Sequence, residues 1–414
     1  MSYRETRDLV TTDMSTSYHS LDIYIHFPFC NQKCAYCYIP TWRYTEQDAD
    51  RYVQALLHEI TRRRVDAAGR LRSIFFGGGT PSLLSAESVA RLMEAICARY
   101  PLAADTVVTL EVSPLDVTLE AIRSFSKVGI NRTSMGIQSF NEHVLRTIRR
   151  PHSPAEAITA VKTLREGGIQ DIGIELMWAI VPFPLPTILD DLAVAADLPV
   201  DHVTTMWYDI YRPDVAGRPA PPAHHELTGK GYFYGEEAMI DVYEKATRFM
   251  RQRGFRRVAT DEFRRSNLHV PAGLCLNGPA LSYTGNGALI GYGLGAVSSI
   301  GPVVTCYDSG LEEYIADPLA PKNLQQFTPE ELVWFRLIYD LLVPGCCERD
   351  EYVRFACRES AALDQWFDCA VKLGFLTRAN ACLTLTDRGA AWFNFSFGVE
   401  NYNSMAEKVK RLFL

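Results

Sequence analysis

A chain of 414 residues, 47% hydrophobic and 22% charged, carries enough apolar material for a large core and is longer than one small domain needs. Its 42 Lys and Arg against 49 Asp and Glu leave a net charge of -7, with no basic block to track a phosphate backbone, so no nucleic-acid partner is expected. The first 20 residues lack the apolar core of a secretory signal, and the most apolar stretch, "LMWAIVPFPLP" at 176–186, holds three prolines in 11 residues where a spanning helix needs ~20. No membrane association is expected, and eleven cysteines without a signal fit a reducing, cytoplasmic setting.

Residues 1–20 read as an N-terminal extension. From 21 to 260, β-rich runs alternate with helical patterns. "LDIYIHF" (21–27), "LRSIFFG" (71–77), "TVVTLEVS" (106–113), "INRTSMGI" (130–137), "DIGIELMW" (171–178) and "DHVTTMWYDI" (201–210) predict strands. Between them, "TEQDADRYVQALLHEITRRR" places Tyr52, Leu56, Leu57 and Ile60 on one helical face, and "SAESVARLMEAICARY" opens on Ser85 as an N-cap. Strands separated by helices predict a mostly parallel α/β sheet, because parallel neighbours need long crossovers. A ligand site is then expected at the strands' carboxyl ends.

Over 261–324 the alternation stops. "LNGPALSYTGNGALIGYGLGAVSSIG" holds seven glycines in 26 residues, which predicts a loop-rich connecting segment over the active site. A third composition runs from 325 to 414. "TPEELVWFRLIYDLLV" predicts an amphipathic helix capped by Thr328 with Pro329 first. Residues 362–397 then read as helix, two short strands turning at "RAN", and helix, a winged-helix-like module assigned a lid or packing role because it has no basic recognition helix.

Cys97, Cys275, Cys306, Cys357, Cys369 and Cys382 are scattered and read as small buried hydrophobes. The adjacent Cys346 and Cys347 read as structural. Cys30, Cys34 and Cys37, in "CNQKCAYC" directly after the first predicted strand, are different. Structural zinc needs four ligands, and no second Cys or His pair has the spacing to complete a set. An electron-transfer cluster also takes four cysteines. Three thiolates leave one iron of a cubane open to a substrate or cofactor.

"YIHFPFCNQKCAYCY" resembles the C-x3-C-x2-C loop of radical S-adenosylmethionine (SAM) enzymes, and its Tyr-x-His-x-Pro-Phe-Cys lead resembles the coproporphyrinogen oxidase (HemN-like) and haem chaperone (HemW-like) branch. Later motifs extend the resemblance strand by strand: "GGGTPS" at 77–82, "LEVSP" with Glu111, "NRTSMGIQSF" with Gln138, "RRPHS" with Arg150 and His152 as a basic pair, and "IELMW" with Glu175 where the family usually has Asp. The resemblance implies a partial (β/α)6 barrel followed by a HemN-like C-terminal accessory domain. It implies a 4Fe-4S cluster on Cys30, Cys34 and Cys37. It also implies SAM contacts from Tyr24, Gly77, Gly78, Gly79, Thr80, Glu111, Gln138, Arg150 and Glu175.

The implied chemistry is reductive cleavage of SAM to a 5'-deoxyadenosyl radical, which abstracts hydrogen from a small-molecule substrate. The electron would come from a donor such as flavodoxin or ferredoxin. The oxidases carry a further cysteine where this chain has Ile39, and the chaperones an acidic residue where it has Tyr38. These departures favour a third group, class C methyltransferases that bind two molecules of SAM and methylate aromatic or conjugated natural products. On that expectation Trp207, Tyr208 and Tyr211 are candidates to stack on substrate, and "SYTGNGALIGYG" to hold the second cofactor. The alternatives are porphyrin chemistry like that of the oxidases and haem binding like that of the chaperones, with His26, His143, His152 or His269 as axial ligand.

Overall fold

The computed structural model describes residues 20–37, 39–65, 69–180, 182–207, 234–268, 287–307, 309–320, 323–326, 328, 337, 341, 346–348, 360–379 and 382–396. Six strands form its centre: β1 (Ser20–Phe27), β2 (Arg70–Gly78), β3 (Leu102–Val112), β4 (Arg132–Gln138), β5 (Asp171–Trp178) and β6 (His202–Trp207). They lie side by side in chain order and every neighbouring pair is parallel. This unbroken parallel run of six strands in chain order, each followed by helix, is the arrangement expected of a partial (β/α)6 barrel.

The helices between the strands begin where local chemistry says they should. In α1 (Glu46–Arg62), Thr45 accepts the Asp48 N–H at 3.1 Å, and Glu46 and Asp48 place negative charge on the first turn. Ser85 accepts the Ser88 N–H at 3.0 Å to open α2 (Ala86–Cys97). After α3 (Leu119–Lys127) and the short α4 (Glu142–Thr147), α5 (Pro154–Glu166) starts with Ser153 and Glu156 in a reciprocal capping box and Pro154 at its first position. These helices, with α6 (Thr187–Asp197) and α7 (Glu236–Gln252), bury residues such as Leu56, Leu92, Val161 and Leu192 in one continuous core. Each such leucine cut to alanine would cost about 2–5 kcal/mol.

The sheet is larger than the six-strand expectation. β7 (Phe255–Arg257) and β8 (Glu262–Arg265) extend one edge, with β8 antiparallel to β6. On the other edge β9 (Gly287–Tyr292) runs parallel to β1, followed by an antiparallel set of β10 (Val297–Ile300), β11 (Val303–Cys306) and β12 (Asn323–Gln326). The glycine-rich run therefore corrects the loop expectation: Gly287–Tyr292 and Val297–Ile300 are strands joined by a short turn, with Ala288, Leu289, Ile290 and Tyr292 buried. Its glycines serve close approach. Gly293, at φ +105°, leaves no room for a side chain beside the Tyr52 hydroxyl and the His26 carbonyl. Fully buried Glu59 of α1 accepts the Gly293 N–H at 2.9 Å and the Tyr314 hydroxyl of α8 (Leu311–Ala316) at 2.8 Å, with Arg63 at 3.2 Å. A buried carboxylate this fully bonded ties the added strands to the core.

Near the C-terminus, α9 (Ser360–Lys372), β14 (Leu376–Ala379), β15 (Cys382–Leu385) and α10 (Asp387–Ser396) reproduce the expected module, and β13 (Cys346–Glu348) adds a third strand beside β15. It docks on α7 through Arg251–Asp387 at 3.1 Å and Arg388–Glu237 at 2.7 Å. The expected helix after Thr328 lies mainly outside the described residues, as do residues 1–19. Among the described residues no helix is long and apolar enough to cross a membrane. The scattered cysteines depart from expectation: Cys369 is exposed and Cys97, Cys306 and Cys382 are half-buried, while Cys275 and Cys357 fall outside the description.

Candidate active site

The cysteine loop leaves the end of β1. Phe29–Cys30 pairs with Trp42–Arg43, closed by Trp42 N–H to the Pro28 carbonyl (2.8 Å) and Tyr44 N–H to the Cys30 carbonyl (3.0 Å). The loop between them is pinned to the turn after α4, where the Ile148 carbonyl accepts the Ala35 N–H (3.1 Å) and the Arg149 carbonyl accepts the Gln32 amide (3.1 Å). Cys30, Cys34 and Cys37 are all free and half-buried. Burial pushes the Cys30 thiol up and the Cys37 thiol to about 11, with the neighbouring cysteines adding to both.

Of the other predicted residues, Gly78, Glu111 and Gln138 stand at or beside the carboxyl ends of β2, β3 and β4, Tyr24 and Glu175 lie within β1 and β5, and Arg150 follows α4. At the end of β2, Gly78 donates its N–H to Glu111 Oε2 (3.1 Å), and Gly79 and Thr80 donate theirs to the Phe27 (2.7 Å) and Phe29 (2.9 Å) carbonyls, which ties the glycine run to the cysteine loop. Desolvation, then the charge of Glu175, holds the Glu111 carboxyl well above the usual range. Glu175 on β5 accepts the Ser134 hydroxyl at 2.7 Å. Gln138 ends β4 at φ +74°, buried, with its Oε1 unpartnered. Arg150 donates to Cys34 Sγ at 3.3 Å and to the Gly136 carbonyl.

Gly136 is where these groups meet. A side chain there would lie 3.0 Å from Gln138 Nε2, 3.5 Å from Arg150 Nη2 and 3.7 Å from Glu175 Oε2. The motif glycine thus leaves a small space faced by an amide, a guanidinium and a carboxylate. Tyr24 and Gly77 adjoin each other, and the Tyr24 hydroxyl meets His26 Nδ1 at 3.0 Å, with the His26 ring lying against Gly78.

One expectation changes, and the other candidates are placed as follows. His152 is no basic partner of Arg150: its Nε2 meets the Ile137 carbonyl at 3.1 Å, and burial, then the Arg150 charge, lowers it to about 4. His26 is likewise lowered to about 4 by burial, whereas His143 is exposed and His269 lies outside the described residues. Trp207 is half-buried against the core, and Tyr208, Tyr211 and residues 282–286 are not described. Three contributors were not anticipated. Tyr36 lies within the cysteine loop beside Arg150, Ser134 within the β4 motif, and Asp191 on α6 holds the turn that follows Gln138.

Among the described residues no three His, Cys, Asp or Glu side chains converge on a single-ion site. A cubane asks for something else, since each thiolate binds its own iron and the ligands stand apart. Three free thiols on one loop, beside a guanidinium, a carboxylate and an unpartnered buried amide oxygen, fit a cluster with an open iron and a zwitterionic cofactor next to it.

The sequence profile of the Radical SAM superfamily matches residues 24–183. Over 279 residues, 67% of this chain and 69% of the other, the sequence is 33% identical to "Heme chaperone HemW" of Escherichia coli (strain K12). This chain belongs to the HemN/HemW branch of the radical SAM superfamily. It is 26% identical over 301 residues to "Oxygen-independent coproporphyrinogen III oxidase" of the same organism, 71% of this chain and 64% of the other. The solved HemN structure from Escherichia coli shares the fold, with TM-score 0.79 at 21% identity over 99% of this chain and 93% of that one. As a radical SAM enzyme of this branch, the protein has a 4Fe-4S cluster and SAM as cofactors. These relatives fit the haem and coproporphyrinogen alternatives better than the expected methylation of a natural product, which nothing among them supports.

Proposed function

We propose that this HemN/HemW-branch enzyme handles a tetrapyrrole and binds haem in the manner of a haem chaperone. The supporting observation is its identity to the HemW chain, 33% against 26% for the coproporphyrinogen oxidase. Ile39 departs from the further cysteine of the oxidases and Tyr38 from the acidic residue of the chaperones, so the loop itself favours neither and the identity carries the reading.

In this proposal Cys30, Cys34 and Cys37 hold three irons of the cluster. Arg150 takes the carboxylate of SAM, as a fork of donors beside the cysteine loop. Glu111 receives the ammonium, whose positive charge draws down a carboxyl raised by burial. Gln138 Oε1 gains a donor that it lacks within the protein, and Glu175, steadied by Ser134, faces the ribose. When bound, the cluster and SAM supply one-electron cleavage of the sulfonium. The barrel residues orient the cofactor and limit access of water to it.

The test compares substrates on anaerobically reconstituted protein with dithionite and SAM. Coproporphyrinogen III should remain undecarboxylated while haem binds stoichiometrically. Decarboxylation at a catalytic rate would replace the chaperone assignment with the oxidase one.

A further inference from the structure

Two of the three cysteine sulfurs accept a side-chain hydrogen bond, and the two donors differ in kind. Cys34 receives the Arg150 guanidinium at 3.3 Å, and Cys30 receives the Thr80 hydroxyl at 3.4 Å. Thr80 occupies the N-cap of the one-turn helix Pro81–Leu83, a place where a threonine hydroxyl ordinarily accepts from the helix backbone. It makes no such cap. Its main chain is anchored by the Thr80 N–H to the Phe29 carbonyl at 2.9 Å, so the hydroxyl is delivered to Cys30 by backbone geometry fixed independently of the side chain.

We propose that Thr80 raises the reduction potential of the cluster through Cys30, a role separate from the cofactor contact of the glycine run. The inference rests on Cys30, Cys34 and Cys37 being the cluster ligands. One electron from the external donor adds one negative charge to the cluster, part of it carried by the thiolate sulfurs, with no bond made or broken in the protein. A donor on a sulfur therefore stabilises the reduced form more than the oxidised one. Arg150 exerts the same effect on Cys34 but also faces the cofactor cradle, so its removal changes two things at once. Thr80 can lose its hydroxyl without altering its backbone contacts.

The experiment is a redox titration of the reconstituted cluster followed by electron paramagnetic resonance, without SAM, on wild type, Thr80→Val and Thr80→Ser. All three should contain the same iron and sulfide. At a fixed applied potential the reduced-to-oxidised ratio should fall at least threefold in Thr80→Val, about 28 mV at 59 mV per decade for one electron. Thr80→Ser should match wild type. A full cluster in Thr80→Val with an unchanged potential overturns the proposal. Should Thr80→Val fold but fail to hold iron, Thr80→Ala is titrated instead, and loss of iron from both makes Thr80 an assembly residue and overturns the tuning role. Iron retained in Cys30→Ala would show that the ligand assignment, rather than the tuning, had failed.

Discussion

Arg150 donates one guanidinium nitrogen to Cys34 Sγ at 3.3 Å and another to the Gly136 carbonyl, joining the cysteine loop to the end of β4. Charge-assisted hydrogen bonds of this kind are worth about 1.5–3 kcal/mol. Arg150→Met should therefore keep its iron and weaken SAM binding about tenfold or more. Arg150→Lys should recover only part of this, since a point charge cannot span both partners. Equilibrium binding of SAM to reconstituted protein reads the effect, and equal affinity in all three proteins would remove Arg150 from the cofactor site.

Cys30→Ala, Cys34→Ala and Cys37→Ala should each fail to assemble the cluster. Replacing Cys346 and Cys347 together, on β13 of the C-terminal module, should leave iron and sulfide content unchanged. Chemical iron and sulfide assays decide. Iron lost from the β13 variant and retained in the loop variants would mean that the ligands had been misplaced.

Much of this placement was legible because Glu111, Gln138 and Glu175 lie on successive strands, and a parallel sheet gathers the carboxyl ends of its strands at one rim. Arg150 reaches the same rim from the turn after α4, and all four positions follow from motif order without any distance. Ser134 and Asp191 do not, because their importance lies in partners on other elements: Ser134 meets Glu175 across β4 and β5, and Asp191 reaches back from α6. The glycines of 287–293 depart from the loop expectation for a related reason. In sequence they signal looseness, whereas Gly293 is required by the close approach of α1 and β1. The basicity of His152 is set by its burial and by the neighbouring Arg150, neither of which the motif reveals.

Asp191 positions the turn after Gln138 from a distance. Its carboxylate accepts the Phe140 N–H and the Ser139 hydroxyl, each at 2.7 Å, and is itself buried. Asp191→Ala strands both donors and should lower stability by about 1–3 kcal/mol, with a further loss of SAM affinity through Gln138. Asp191→Asn keeps one acceptor and should fall between. Urea unfolding and SAM titration measure the two effects, and a neutral Asp191→Ala would contradict the assignment.

At the opposite end of the strands, Glu262 on β8 is fully buried among Arg132, Asp171, His202 and Arg264, with neither carboxylate oxygen hydrogen-bonded. Desolvation, opposed by Arg132 and Arg264, raises it from 4.5 to about 8. Between those values the folded chain holds a proton that the unfolded chain has released, so this group's contribution to stability falls as pH rises through the window. Glu262→Gln has no such proton to lose. Melting temperatures at pH 6 and pH 9 should show wild type declining relative to Glu262→Gln, and parallel behaviour would refute the shift.

The central claim, that this radical SAM enzyme binds haem, is tested most directly by titrating haem into the anaerobically reconstituted protein and following the Soret band. A shifted band should saturate at one haem per chain, in protein that also forms 5'-deoxyadenosine from SAM under dithionite. An unshifted, non-saturating band in protein that cleaves SAM would contradict it and return the enzyme to substrates other than haem.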